Sequence, residues 1–231
     1  MRRIGLLGGM SWESTVPYYR TINRVVAREL GGLHSAEILL YSVDFQAIEE
    51  LQHQGRWQET GEVLARAAAV LEAGGAHFLV LCTNTMHRVA SQIEAAVSIP
   101  LLHIADATAE EVLGAGLTRV GLLGTRFTME GEFYRGRLAE GFGLEVAVPP
   151  ARDRATVHRV IYRELCRGQI LEASRDEFRR IAAGLADQGC QAVILGCTEI
   201  GLLLQPADAS VPLFDTAEIH AEAAARFALA D

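Results

Sequence analysis

Apolar residues gather along the chain in short runs bounded by glycine, proline or polar turns, with longer amphipathic stretches of helical period between them. Runs of that length without polar alternation predict parallel strands buried on both faces, and the stretches between them predict the helices that cover those faces. The predicted strands are Ile4 to Leu7, Ile38 to Val43, Phe78 to Cys82, Pro100 to Ile104, Val120 to Leu123, Leu144 to Val148, Ala192 to Leu195 and Pro212 to Phe214. Helices are expected over Val16 to Leu30, Gln58 to Ala73, Thr85 to Val97, Thr128 to Glu140, Ala155 to Cys166, Ser174 to Gln188 and Thr216 to Leu229. Such an alternation implies an α/β fold.

The order of the pieces repeats within the chain. Ile4-Gly5-Leu6-Leu7-Gly8-Gly9 returns as Val120-Gly121-Leu122-Leu123-Gly124-Thr125. Residues 75–83 align without a gap on residues 189–197, an offset of 197 − 83 = 114, and Ile99-Pro100-Leu101 finds Val211-Pro212-Leu213. The repeat predicts two similar, pseudo-symmetric lobes, each a mainly parallel sheet flanked by helices, with an active site between them. One lobe is expected over residues 1–110 plus 211–231, the other over 111–210. The crossover at 105–118 reads as a hinge, and Pro149 to Asp153 as a surface loop.

Composition narrows the chemistry. All 21 basic residues are arginine. Without a lysine there is no Schiff base for pyridoxal phosphate or an aldolase, and no Walker phosphate loop. A net charge of −8 is the wrong sign for a nucleic-acid surface or an anionic membrane. Arg2 and Arg3 ahead of an apolar run superficially resemble a signal peptide, but Gly8, Gly9 and Ser11 interrupt it, and no apolar run is long enough to span a bilayer. The four cysteines form no C-x-x-C pair, so the expectation is a reduced, cytoplasmic, unprocessed chain.

In open parallel sheets, ligands collect at the carboxyl ends of strands. Four such corners stand out: Gly8-Gly9-Met10-Ser11, Cys82-Thr83-Asn84-Thr85-Met86-His87, Gly124-Thr125-Arg126-Phe127-Thr128 and Gly196-Cys197-Thr198-Glu199. The first lacks the glycine spacing of a dinucleotide fingerprint. Cys166 and Cys190 read as packing residues, the usual fate of a free cysteine. Cys197 differs, because a polar, helix-starting sequence follows it and a helix N-terminus lowers a thiol pKa. The internal alignment sets Cys82 opposite Gly196 and Thr83 opposite Cys197, which makes Cys82 strand core. The seven histidines show no metal-binding spacing, His87 has the option of capping or packing, and G-x-S-x-G is absent.

The motifs Gly5-Leu6-Leu7-Gly8-Gly9-Met10-Ser11-Trp12-Glu13-Ser14-Thr15, Cys82-Thr83-Asn84-Thr85-Met86-His87 and Gly196-Cys197-Thr198-Glu199-Ile200-Gly201 resemble those of the aspartate/glutamate racemase family, and the resemblance covers essentially the whole chain. It implies a homodimer that needs neither pyridoxal phosphate nor a metal and inverts Cα of an acidic amino acid, one residue removing a proton while another delivers one to the opposite face. The family's first motif reads C-N-T-x-H, which places Thr83 at the first catalytic position and Cys197 at the second. Substrate-binding roles are implied for Met10, Gln52, Asn84, Thr85, Thr198 and Glu199, the last standing where cell-wall glutamate racemases carry histidine. Arg126 and Arg163 are candidates to clamp a side-chain carboxylate. Backbone N–H groups of the Gly8-Gly9 and Asn84-Thr85 corners are expected to hold the α-carboxylate. A cysteine-dependent decarboxylase or isomerase and a non-catalytic dicarboxylate-binding protein remain open alternatives.

Overall fold

The computed structural model describes residues 1–230. Two compact units divide the chain: Met1–His103 together with the chain from His220 onward, and Ile104–Ile219. The first contains strands β1 (Ile4–Gly8), β2 (Ile38–Ser42), β3 (Phe78–Leu81) and β4 (Leu101–Leu102), all parallel, in the order β2-β1-β3-β4. The second contains β5 (Arg119–Gly124), β6 (Glu145–Ala147), β7 (Ala192–Gly196) and β8 (Leu213–Asp215), also parallel, in the order β6-β5-β7-β8. The repeat reaches the register: Ile4 pairs with Phe78 as Val120 pairs with Ala192. All eight predicted strands form, and no strand end differs from its expected place by more than two residues.

The central strands β1, β3 and β7 are buried along their whole length. In the first unit Leu7, Leu79 and Leu81 pack with Ile48, Leu64, Ala68, Leu71 and Ile93 from the covering helices. Val120, Leu122 and Ile194 do the same in the second with Tyr134, Val157, Phe178 and Leu185. Each such aliphatic or aromatic side chain contributes about 1.5–3 kcal/mol by leaving water. Close approach explains the repeated glycine of the first and fifth strands. A Cβ at Gly5 would lie 2.9 Å from Ala76 Cβ, and one at Gly121 would lie 2.7 Å from Leu185 Cδ1.

Several expected elements take a different form. The stretch 105–118, expected as the crossover, is mostly helical: Ile104–Gly114 is a helix that buries Ile104, Ala105, Ala109 and Val112. Pro150 is the N-cap of the helix Ala151–Arg163, so residues 151–153 of the expected surface loop are the first helical turn. Gly131, extended at φ −85° and ψ 133°, splits the expected Thr128 to Glu140 helix into Arg126–Glu130 and Glu132–Phe142. The helix Phe45–His53, absent from the sequence expectation, starts where the Asp44 carboxylate accepts the Gln46 N–H.

Strand β8 pairs with β7, so the chain's return to the first unit falls at His220 and not at residue 211. Within the first unit the end of helix Thr216–Leu229 is held by an Arg2 N–H bond to Ala228 O at 2.8 Å and by ring contact between Phe78 and Phe227. Among the described residues, no helix is long and apolar enough to cross a membrane.

Asp215, at the end of β8, accepts the Ala217 N–H at 2.9 Å and lies so close to the chain at Gly201 that a Cβ there would be 1.8 Å from its Oδ2. Burial pushes its carboxyl up to about 6, against about 3.9 in an unfolded chain. The folded protein therefore holds this proton more tightly, and the stability it brings is present below pH 4 and lost as pH rises through 6. Asp215→Asn keeps a carbonyl acceptor without the charge. It is expected to raise stability at pH 7 by up to about 3 kcal/mol and to change it little at pH 4, as read from urea denaturation at both pH values. The same shift at both would refute the assignment.

Candidate functional site

In the first unit the corner after β3 is shaped by satisfied backbone groups. Cys82 N–H bonds to Leu7 O at 3.0 Å and Thr83 N–H to Leu81 O at 2.8 Å. The Cys82 side chain is fully buried, 3.7 Å from Val80 O, and burial pushes its thiol far above the ordinary range. It is strand core, as expected. Thr83, Asn84 and Thr85 follow at the start of a 3-10 turn, Thr85–Val89, and all three are buried. The expected helix from Thr85 to Val97 is thus a 3-10 turn followed by the short helix Ala90–Glu94. Among the described residues no hydrogen bond engages the Thr83 hydroxyl.

Met86, inside that turn, joins the other residues of this half. Gln52 Nε2 donates to its sulfur at 3.6 Å, and Met10 packs in the same apolar cluster. Gln52 is carried there by the Phe45–His53 helix. Met86 was not singled out in the sequence, since a methionine at that position reads as core.

The corner after β1 corrects one expectation. Gly9, at φ +90°, passes so close to the neighbouring chain that a Cβ would lie 2.4 Å from Val43 O. Its N–H donates to Thr15 Oγ1 at 2.9 Å, and the Thr15 hydroxyl donates in turn to Ser11 O at 2.9 Å. The Gly9 N–H is consumed by the protein's own threonine, which removes it from the groups expected to hold a carboxylate.

In the second unit β7 ends at Gly196 and delivers Cys197, Thr198 and Glu199, all buried. Cys197 Sγ donates to Glu199 Oε2 at 3.0 Å, and Thr198 Oγ1 donates to the same oxygen at 3.0 Å. Cys166 Sγ, from the 3-10 turn Leu165–Arg167, reaches Glu199 Oε1 at 3.7 Å. Sequence reasoning set Cys166 aside as a packing residue. Nothing in its local pattern marks it, because only the tertiary fold brings it to Glu199.

These surroundings overturn the expectation of a resting thiolate. Burial, then the Glu199 charge and the neighbouring Cys166, push the Cys197 pKa well above its ordinary value. The helix that was to stabilise the anion, Ile200–Leu203, is four residues long and has little dipole to offer. Cys197 rests as a thiol, with its proton aimed at a carboxylate.

The corner after β5 spends its hydroxyls on capping: Thr125 accepts the Thr128 N–H at 3.3 Å. Arg126 is exposed there, and Arg163 is exposed at the end of Ala151–Arg163. Neither makes an ion pair among the described residues, so both guanidiniums are available to a carboxylate. Cys190 is buried, in line with its expected packing role. Among the described residues, no cluster of three or more His, Cys, Asp or Glu side chains is arranged to hold a metal ion.

Known proteins share this architecture. The structure matches that of a proposed Asp/Glu racemase from Yersinia pestis with TM-score 0.92 and 58% identity, covering 100% of both chains. An aspartate racemase homologue from Pyrococcus horikoshii OT3 gives TM-score 0.82 and 36% identity over 99% of each chain. The broad specificity amino-acid racemase RacX of Bacillus subtilis (strain 168) is 24% identical over 225 residues, 92% of each protein. The model of the Asp/Glu/Hydantoin racemase family matches residues 7–224, a span that takes in the Gly8-Gly9, Thr83 and Cys197 corners, and this chain belongs to that family.

Proposed function

We propose that the protein racemises an acidic amino acid, L-aspartate or L-glutamate, without a cofactor, by proton transfer at Cα with Cys197 as base and Thr83 as the opposing acid. The observation that carries this reading is the Cys197 thiol donating to the buried Glu199 carboxylate at 3.0 Å. A thiol must lose its proton before it can take one from carbon. Glu199 is placed to receive it. The thiolate formed removes the α-proton of the L-enantiomer and becomes a thiol again. The Thr83 hydroxyl gives a proton to the other face of the carbanion and regains one from water, and the hydroxide so formed is neutralised by the proton that Glu199 releases, which returns Glu199 to its carboxylate. Threonine is too weak an acid to rest as an alkoxide, so its part is to relay.

The α-carboxylate is held by the Asn84-Thr85 corner, with Met10, Gln52 and Thr198 around the substrate, and Arg126 or Arg163 receives the side-chain carboxylate. In this reading Glu199 serves the base more than the substrate. A homodimer in the cytoplasm belongs to the same proposal, supported by the family resemblance and by a chemistry that requires reduced cysteine.

The decisive measurement is proton NMR of each L-amino acid with the protein in D₂O, alongside circular dichroism of the amino acid. Loss of the α-proton signal with decaying ellipticity, abolished in Cys197→Ser, is the expected result. A folded protein that changes neither signal would eliminate acidic amino-acid racemisation and leave decarboxylation or simple binding. Glu199→Gln keeps the shape but accepts no proton, so kcat should fall by about 10²–10³; an unchanged rate would place the thiol's proton elsewhere. Thr83→Cys should raise kcat from the D side. Because free enantiomers have equal energy, kcat/KM must stay equal in the two directions for every variant, which checks the assay itself.

A further inference from the structure

We infer that His87 is a positioning residue: its ring takes the place of a backbone donor at the first turn after β3 and so holds Thr83 where the proposed reaction needs its hydroxyl. The inference rests on the racemase reading for its kinetic consequence and on geometry alone for its structural one.

In an α-helical turn the N–H of residue 87 would bond to the carbonyl of residue 83. Here the His87 N–H turns to Asn84 O at 3.1 Å, the tighter 3-10 bond, and His87 Nδ1 lies 2.7 Å from Thr83 O. A carbonyl oxygen only accepts, so Nδ1 carries the hydrogen and donates it. Both backbone groups of Thr83 are then fixed, its N–H by Leu81 O and its carbonyl by this ring. A β-branched residue on a fixed backbone has few χ1 choices, so the ring sets where the hydroxyl points.

The ring is itself held. It is buried, with the His103 centroid at 4.3 Å and the His220 centroid at 6.1 Å. His220 is anchored by Leu102 O, 2.9 Å from Nε2, which puts its hydrogen there and leaves Nδ1 to accept from the Tyr18 hydroxyl at 2.9 Å. Removing the His87 ring frees the Thr83 carbonyl to take the residue-87 N–H, which relaxes the turn toward α and rotates Thr83.

Two readouts test this. With L-substrate in D₂O, Cys197 can take the α-proton and return deuteron to the same face, which gives exchange with retention, whereas inversion needs Thr83. In His87→Ala the ratio of exchange with retention to inversion should rise at least about fivefold. His87→Asn, whose amide N–H can reach the same carbonyl, should restore it. Loss of both processes in parallel in a folded variant, or no change, would overturn the assignment. The second readout is independent of activity. Nitrogen-15 NMR of labelled histidine should show His87 protonated at Nδ1, and a crystal structure of His87→Ala should show Thr83 O bonded to the backbone N–H of residue 87. A bare Nδ1, or an unmoved Thr83, would refute positioning even with full activity. Wild-type protein that neither exchanges nor inverts while passing the structural tests would count against the racemase reading and leave the geometric role of His87 standing.

Discussion

A parallel strand buried on both faces must leave its sheet through a corner whose backbone groups can no longer pair with a neighbouring strand, and an unpaired buried amide or carbonyl costs about 1–3 kcal/mol. In this protein side chains make such bonds after three of the central strands and inside the fourth. Thr15 accepts the Gly9 N–H after β1, His87 donates to Thr83 O after β3, Thr125 accepts the Thr128 N–H after β5, and the Thr216 hydroxyl donates to Leu195 O within β7 at 2.7 Å. The candidate chemistry sits at these corners because polar side chains must be there in any case. A hydroxyl or thiol that is not consumed by the backbone becomes available to a substrate.

The duplicated topology supplies two such corners at equivalent places, and the chain has made them chemically different. After β7 a cysteine faces a carboxylate, and after β3 the equivalent place holds threonine with a histidine on its carbonyl. In the proposed reaction the first arrangement would dispose of a proton that a buried thiol otherwise keeps, and the second would keep a weak acid pointed in one direction. Such an asymmetric pair would still obey equal kcat/KM in both directions, so its asymmetry would express itself only in how tightly each enantiomer is held and how fast each bound form turns over.

Much of this was legible along the chain. The short unalternating apolar runs pointed to parallel strands; the central ones are buried along their length, while the outer strand Ile38–Ser42 is largely exposed. The alignment of residues 75–83 on 189–197 was enough to demote Cys82 to core and to set Thr83 opposite Cys197, since side-chain direction alternates along a strand and a one-residue shift reverses it. The helices 45–53 and 104–114 were less visible, because the first is only nine residues long and the second, with small Ala and Thr residues at its buried positions, has weak periodicity.

By itself the sequence determined the class of fold, the repeat, the absence of lysine chemistry and the corner residues Thr83 and Cys197, all properties of local pattern and composition. Tertiary structure alone decided the protonation of Cys197, the diversion of the Gly9 N–H to Thr15, and the membership of Cys166 in the Glu199 cluster. The reason is physical. Strand and helix formation depend on neighbours within a few residues, whereas a pKa or a hydrogen-bond partner depends on desolvation and on groups that only folding brings within about 3–4 Å.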